Sequence, residues 1–156
     1  MATTIAAATM AVTVTETVNL NGKEQGGTST LSVAGINEVS KRILTVPTSE
    51  VILIAMGTAV SLGTFVESAV KYIRFTNLDD TNHVTLTFKN ENDDEFAVKL
   101  DKGQTFIYNG DLSGGVVDTM DAIAGGGISL SLGDLVNVVA IANTASCDLE
   151  IFVASA

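Results

Sequence analysis

The sequence has no tryptophan, one cysteine (Cys147), one histidine (His83) and one proline (Pro47). One cysteine excludes an internal disulfide and suits synthesis in a reducing cytoplasm. One imidazole is too few for most zinc sites, which take three or four nitrogen or sulfur ligands. It also leaves Cys147 with a single candidate base, and no motif links the two. With so little proline, Pro47 marks a strand end or edge, because it brings no N–H to a ladder. Apolar runs are short. The longest, Val51-Ile52-Leu53-Ile54-Ala55-Met56, is far below the roughly 20 residues of a membrane helix and reads as a buried, doubly covered strand. The first residues lack the basic and leucine-rich regions of a secretory signal.

Charge is also scarce. Charged residues are 17% of the chain against 46% hydrophobic, and an average soluble domain has about 25% charged. A surface this poor in charge is built from Thr, Ser and Asn, or is covered by other chains. The net charge is −10 and uneven. Residues 1–66 hold three bases and four acids, residues 67–156 five bases and fourteen acids. Such a balance disfavours nucleic acid and anionic membranes as partners.

What is present is period-two alternation between turn residues. The segment from Tyr72 to Phe88 reads as two strands joined by a short polar turn. Its aromatic and β-branched residues point one way, and Lys, Arg, Thr and Asn the other. Further runs are Val12–Leu20, Thr28–Val33, Val39–Val46, Val51–Met56, Phe96–Leu100, Thr105–Tyr108, Ile128–Leu132, Leu135–Asn143 and Cys147–Ala154. Asn21-Gly22 and Asp101-Lys102-Gly103 are turn signals. Gly57–Ser68 reads as a loop, and a short helix is expected over Val116–Ala124. About ten strands at 8–12-residue spacing, with no helical repeat between them, predict an all-β fold: an antiparallel β-sandwich of jelly-roll type. Residues 1–11, Ala/Thr-rich and uncharged, are expected to form an extended N-terminal arm, and residues 12–156 a single sandwich domain.

Each motif that suggests chemistry has a plainer explanation. Asn90, Asn92 and Asp94 in the acidic turn Asn90–Glu95 alternate like Ca²⁺ ligands, but the glycine and glutamate of a calcium loop are missing, and a solvated hairpin turn accounts for them. Asp79-Asp80 with His83 suggests an acid–base or metal site, whereas an Asx turn on Asn77 and Asp79 explains the spacing. Gly114-Gly115 and Gly125-Gly126-Gly127 lack the helix and lysine of a phosphate loop. Most of the aromatics are expected in the core; Tyr108, beside Asn109-Gly110-Asp111, is the one candidate for a sugar-stacking surface. No catalytic, cofactor-binding or metal-binding residues are expected, and no enzyme.

Three segments carry a resemblance: Lys71-Tyr72-Ile73-Arg74-Phe75-Thr76-Asn77-Leu78-Asp79, Phe96-Ala97-Val98-Lys99-Leu100-Asp101-Lys102-Gly103-Gln104-Thr105-Phe106, and Ala142–Val153. Together they resemble small structural proteins of tailed bacteriophages, particularly marine ones. The likeness covers about residues 70–156, with a weaker one through Val39–Glu50. It implies a virion component with no catalytic residues. The leading expectation is a capsid decoration (cement) protein, a homo-oligomer whose partner is the major capsid protein or another virion protein. A tail, neck or fibre component is the second reading, and a carbohydrate-binding module centred on Tyr108, Asn109 and Asp111 the third.

Overall fold

The computed structural model describes residues 4–109 and 133–156. Thirteen strands run through them: β1 (Ala8–Glu16), β2 (Asn19–Leu20), β3 (Lys23–Glu24), β4 (Gly27–Ile36), β5 (Glu38–Val46), β6 (Val51–Gly57), β7 (Phe65–Val66), β8 (Val70–Asn77), β9 (Val84–Asn90), β10 (Glu95–Leu100), β11 (Thr105–Asn109), β12 (Leu135–Ala142) and β13 (Cys147–Ser155). The expected helix over Val116–Ala124, the strand Ile128–Leu132, Asp111 and the Gly114–Gly115 and Gly125–Gly127 runs lie outside the described residues.

Eight of these strands form the sandwich by nested pairing. β5 pairs with β13, β6 with β12, β8 with β11 and β9 with β10, all antiparallel. This is one long hairpin folded back on itself. Rolling it brings β13 beside β8 and β12 beside β9. The result is a four-stranded sheet ordered β11-β8-β13-β5 facing a sheet ordered β10-β9-β12-β6, which β7 extends in parallel at its end. That order is the jelly roll, and the expected all-β sandwich is present. Among the described strands the β9–β10 turn is the one antiparallel hairpin within a sandwich sheet. Other short connections cross between the layers.

Alternation chooses the core. On β8, Ile73 and Phe75 enter the interior with Leu149, Ile151 and Val153 of β13. Opposite lie Val84, Leu86 and Phe88 of β9 and Val138, Ala140 and Ala142 of β12. Phe88 is the centre of the aromatic packing. Its ring stacks on Phe96 (4.7 Å between centroids) and Tyr108 (5.5 Å), and meets Phe106 and the edge of Phe75.

Three expectations need correction. The two faces of β8 are not divided into apolar and polar. Tyr72 lies on the outer face with Arg74, and Asn77 is fully buried. Regular alternation accounts for both: Tyr72 and Arg74 share the outer side, and Ile73, Phe75 and Asn77 the inner, while a register shift against β13 at Lys71 lets Val70 enter the core as well. Second, β6 is not doubly covered. Its partners are β12 along its length and β7 only at Met56 and Gly57. A bulge lets consecutive Leu53 and Ile54 both face inward, and leaves Ile52 60% exposed. Third, the boundary at residue 11 does not separate arm from sandwich. Ala8–Ala11 already belong to β1, and β1 pairs with β4 to form a separate two-stranded ribbon, so residues 12–36 are in neither sandwich sheet.

Candidate interaction surface

The ribbon is the feature that a folded core does not require. Its base packs on the outer face of the four-stranded sheet. Val33 and Ile36 are buried there against Tyr72 and Ala154, with Met10, Val12, Leu31, Ile107 and Phe152 around them. This second small apolar cluster anchors the ribbon. Asn37 N–H donates to Ser155 O at 2.9 Å, and Lys71 Nζ donates to Ala34 O at 3.0 Å. Beyond the anchor, residues 13–30 are exposed except Gly26. Thr13 and Thr30 meet through their hydroxyls at 3.2 Å, and Thr15 and Thr28 at 3.3 Å. These cross-strand pairs hold the register.

The tip is built rather than frayed. Asn21 (φ 53°) and Gly22 (φ 78°) make the two-residue turn between β2 and β3, as the sequence predicts. The Glu24 carboxylate accepts from Val18 N and Gly26 N at 2.8 Å each, and these backbone bonds hold its pKa below the usual carboxylate value. The tip carries Val18 and Leu20, both more than half exposed. A second exposed apolar pair, Val60 and Leu62, sits on the turn closed by Ser61 and Thr64.

Under β1 lies an open cleft of about 590 Å³, roofed by Met10, Val12 and Val14 and floored by Tyr72, Arg74, Ile107 and Phe152. Arg74 is occupied: it donates to Glu150 Oε1 at 2.6 Å and lies over the Phe152 ring. Lys41 joins Glu150 from the other side at 3.0 Å. The Lys41 hydrogen bond, with the two nearby cations, holds the Glu150 pKa low.

The candidates singled out by sequence settle as follows. Asn90 Oδ1 accepts from Asn92 N and Asp94 N, so it closes the β9–β10 turn from within. Asn77 Oδ1 accepts from Asp79 N, and Asp79 Oδ1 from Thr81 N and Asn82 N, which is the expected Asx turn. Those backbone bonds also lower the Asp79 pKa. His83 does come near Cys147, but through its backbone: the thiol faces Ala145 O at 3.5 Å and His83 O at 3.9 Å. Burial first, and then the charges of Asp79 and Asp148, push the thiol pKa up, the opposite of an activated nucleophile. Among the described residues, no three His, Cys, Asp or Glu side chains gather as a metal site. No helix among them is long and apolar enough to cross a membrane. Tyr108 is half-buried with its ring stacked on Phe88, so it packs inward rather than presenting a platform.

Sequence reasoning missed the ribbon as a unit. A signal was present: Met10, Val12 and Val14 alternate with Ala11, Thr13 and Thr15 across the boundary drawn at residue 11. No protein-family model and no curated protein matches this chain, so its function has to be argued from this geometry and from the sequence.

Proposed function

We propose that this chain is a non-catalytic structural protein of a tailed-phage virion, a decoration protein that binds the assembled capsid shell as a homo-oligomer. The ribbon is the observation that carries this reading. A jelly roll that worked alone has no use for a two-stranded projection, sparing in charge, with Val18 and Leu20 exposed at its tip. Isolated two-stranded hairpins are marginal in water, so such a projection suits a protein that meets another surface. The likeness of residues 70–156 to phage structural proteins supplies the setting. The fold adds only analogy, since jelly rolls serve viral shells, lectins and enzymes alike.

The mechanism is linkage. A protein that binds the assembled shell and not its free subunits stabilises the shell by the free energy of that binding. Much apolar and neutral polar surface suits close contact. The net charge of −10 keeps the protein from the packaged nucleic acid.

Replacing Val18 and Leu20 together with Asp tests the contact. Both are exposed, so the jelly roll keeps its melting temperature. Occupancy on particles lacking the native protein falls at least tenfold, about 1.4 kcal/mol. Equal occupancy by the variant and the native chain overturns the tip as the contact.

A further inference from the structure

The tip of the ribbon holds a reactive pair that the fold does not shield. Asn21 and Asn109 are the asparagines followed by glycine, and Gly110 lies outside the described residues. Asn21 and Gly22 are both exposed. Nothing stands within 4 Å of the place where a side chain on Gly22 would begin. Among the described residues, neither the Asn21 carboxamide nor the Gly22 nitrogen takes part in a hydrogen bond. Other asparagines are occupied. The Asn77 amide donates to Asn82 O and Leu100 O, Asn90 Oδ1 accepts from Asn92 N and Asp94 N, and Asn143 Oδ1 accepts from His83 N. They are followed by Leu78, Glu91 and Thr144, whose side chains crowd the backbone nitrogen as glycine does not.

The turn around Asn21 can also open. Two residue pairs close it, Asn19 with Glu24 and Leu20 with Lys23, and the Glu24 carboxylate braces it from outside. So short and exposed a ladder opens far more readily than the sandwich strands.

We propose that Asn21 is a site of spontaneous deamidation, and that the reaction ages the tip and weakens its hold on the shell. The Gly22 nitrogen gives up its proton to solvent base and forms a bond to Asn21 Cγ. The Cγ–Nδ2 bond breaks, and ammonia leaves with a proton taken from water. Water then opens the cyclic imide at either carbonyl, leaving aspartate or isoaspartate at position 21. No oxidant, reductant or cofactor enters. Both products place a carboxylate beside the exposed Leu20 and Val18. Isoaspartate also lengthens the main chain by one carbon, in a turn whose two central residues must both hold positive φ. The loss of shell affinity rests on the tip contact proposed above; the chemistry at Asn21 does not.

Peptide mapping by mass spectrometry, on the full chain stored in neutral and in mildly alkaline buffer, tests the chemistry without any phage particle. Asn21 is expected to convert at least about tenfold faster than Asn19 or Asn82, faster still at the higher pH, and to yield isoaspartate. Asn21→Gln, which would have to close a larger ring, is expected to stay intact at that position. Conversion of Asn21 no faster than that of Asn19, or independent of pH, overturns the site. Aged chain, separated from fresh chain by anion exchange, then tests the consequence: its occupancy on particles lacking the native protein is expected to fall about fivefold, and Asn21→Asp to fall with it. Equal occupancy of aged and fresh chain, where Val18→Asp with Leu20→Asp still loses occupancy, overturns the consequence and leaves the tip contact standing.

Discussion

Phe88→Ala is expected to destabilise the fold by about 3–5 kcal/mol, the range for emptying a large buried aromatic site. Phe88 has no exposed surface, and four other aromatic rings meet it: Phe75, Phe96, Phe106 and Tyr108. Those rings come from β8, β9's neighbour β10, and β11, so the cavity opens where both sandwich sheets contribute. Phe96, Phe106 and Tyr108 are themselves only partly buried and can shift toward the gap, which places the expected loss at the lower end of that range. A domain of ordinary stability has about 5–15 kcal/mol in total, so this loss brings the protein near its folding threshold. The melting temperature is expected to fall by roughly 10 °C. Thr87→Ala, one residue away and facing outward, is expected to change stability by less than about 0.5 kcal/mol. A Phe88→Ala protein that melts within two or three degrees of the native one contradicts the central role given to this ring.

Asn77→Asp is the second large effect, and it is nearly isosteric. Asn77 is fully buried. Its Nδ2 donates to Asn82 O at 2.9 Å and to Leu100 O at 3.1 Å, tying the β8–β9 connection to the end of β10. A carboxylate in this place has no proton for either carbonyl, and places its own charge against them. The expected cost at neutral pH is about 3 kcal/mol or more. Burial raises the pKa of the new carboxyl in the folded chain above its unfolded value near 3.9. The variant is therefore closest to native stability below about pH 4. It loses stability as pH rises through the folded pKa, where the carboxyl must ionise or the chain unfold. Denaturant titrations of both proteins from pH 3 to pH 8 check this. A stability gap that does not widen with pH contradicts the donor role assigned to the Asn77 amide.

The strand positions were legible in the sequence because alternation is local. Val84-Thr-Leu-Thr-Phe88 shows its buried face by itself, and Asn21-Gly22 its turn. The roll was not legible. The pairing of Thr45 with Asp148 joins residues about a hundred apart, and nothing in either segment names the other. Bulges also defeat alternation. The one beside Leu53 turned an edge-like strand into an apparent central one, and the one at Lys71 brings Val70 inward out of step with Ile73 and Phe75. Two other errors had a visible signal. Phe106 and Tyr108 share parity, which places both rings toward the core, and Asn77 shares parity with Ile73 and Phe75. A polar residue at an inward position points to a buried hydrogen bond, here to Leu100 O and Asn82 O. The ribbon was hidden by composition: an uncharged Ala/Thr stretch resembles a terminal tail until its partner strand, Gly27–Ile36, is known.

If the protein decorates a shell, as proposed above, the number of copies in a purified virion must match the lattice it covers. Quantitative mass spectrometry against the major capsid protein is expected to give a number comparable with the capsid protein, in the hundreds for a shell covered at every lattice position. Six or twelve copies, the symmetry of a tail or neck, contradict decoration of the shell, and a particle that contains none contradicts the virion role altogether.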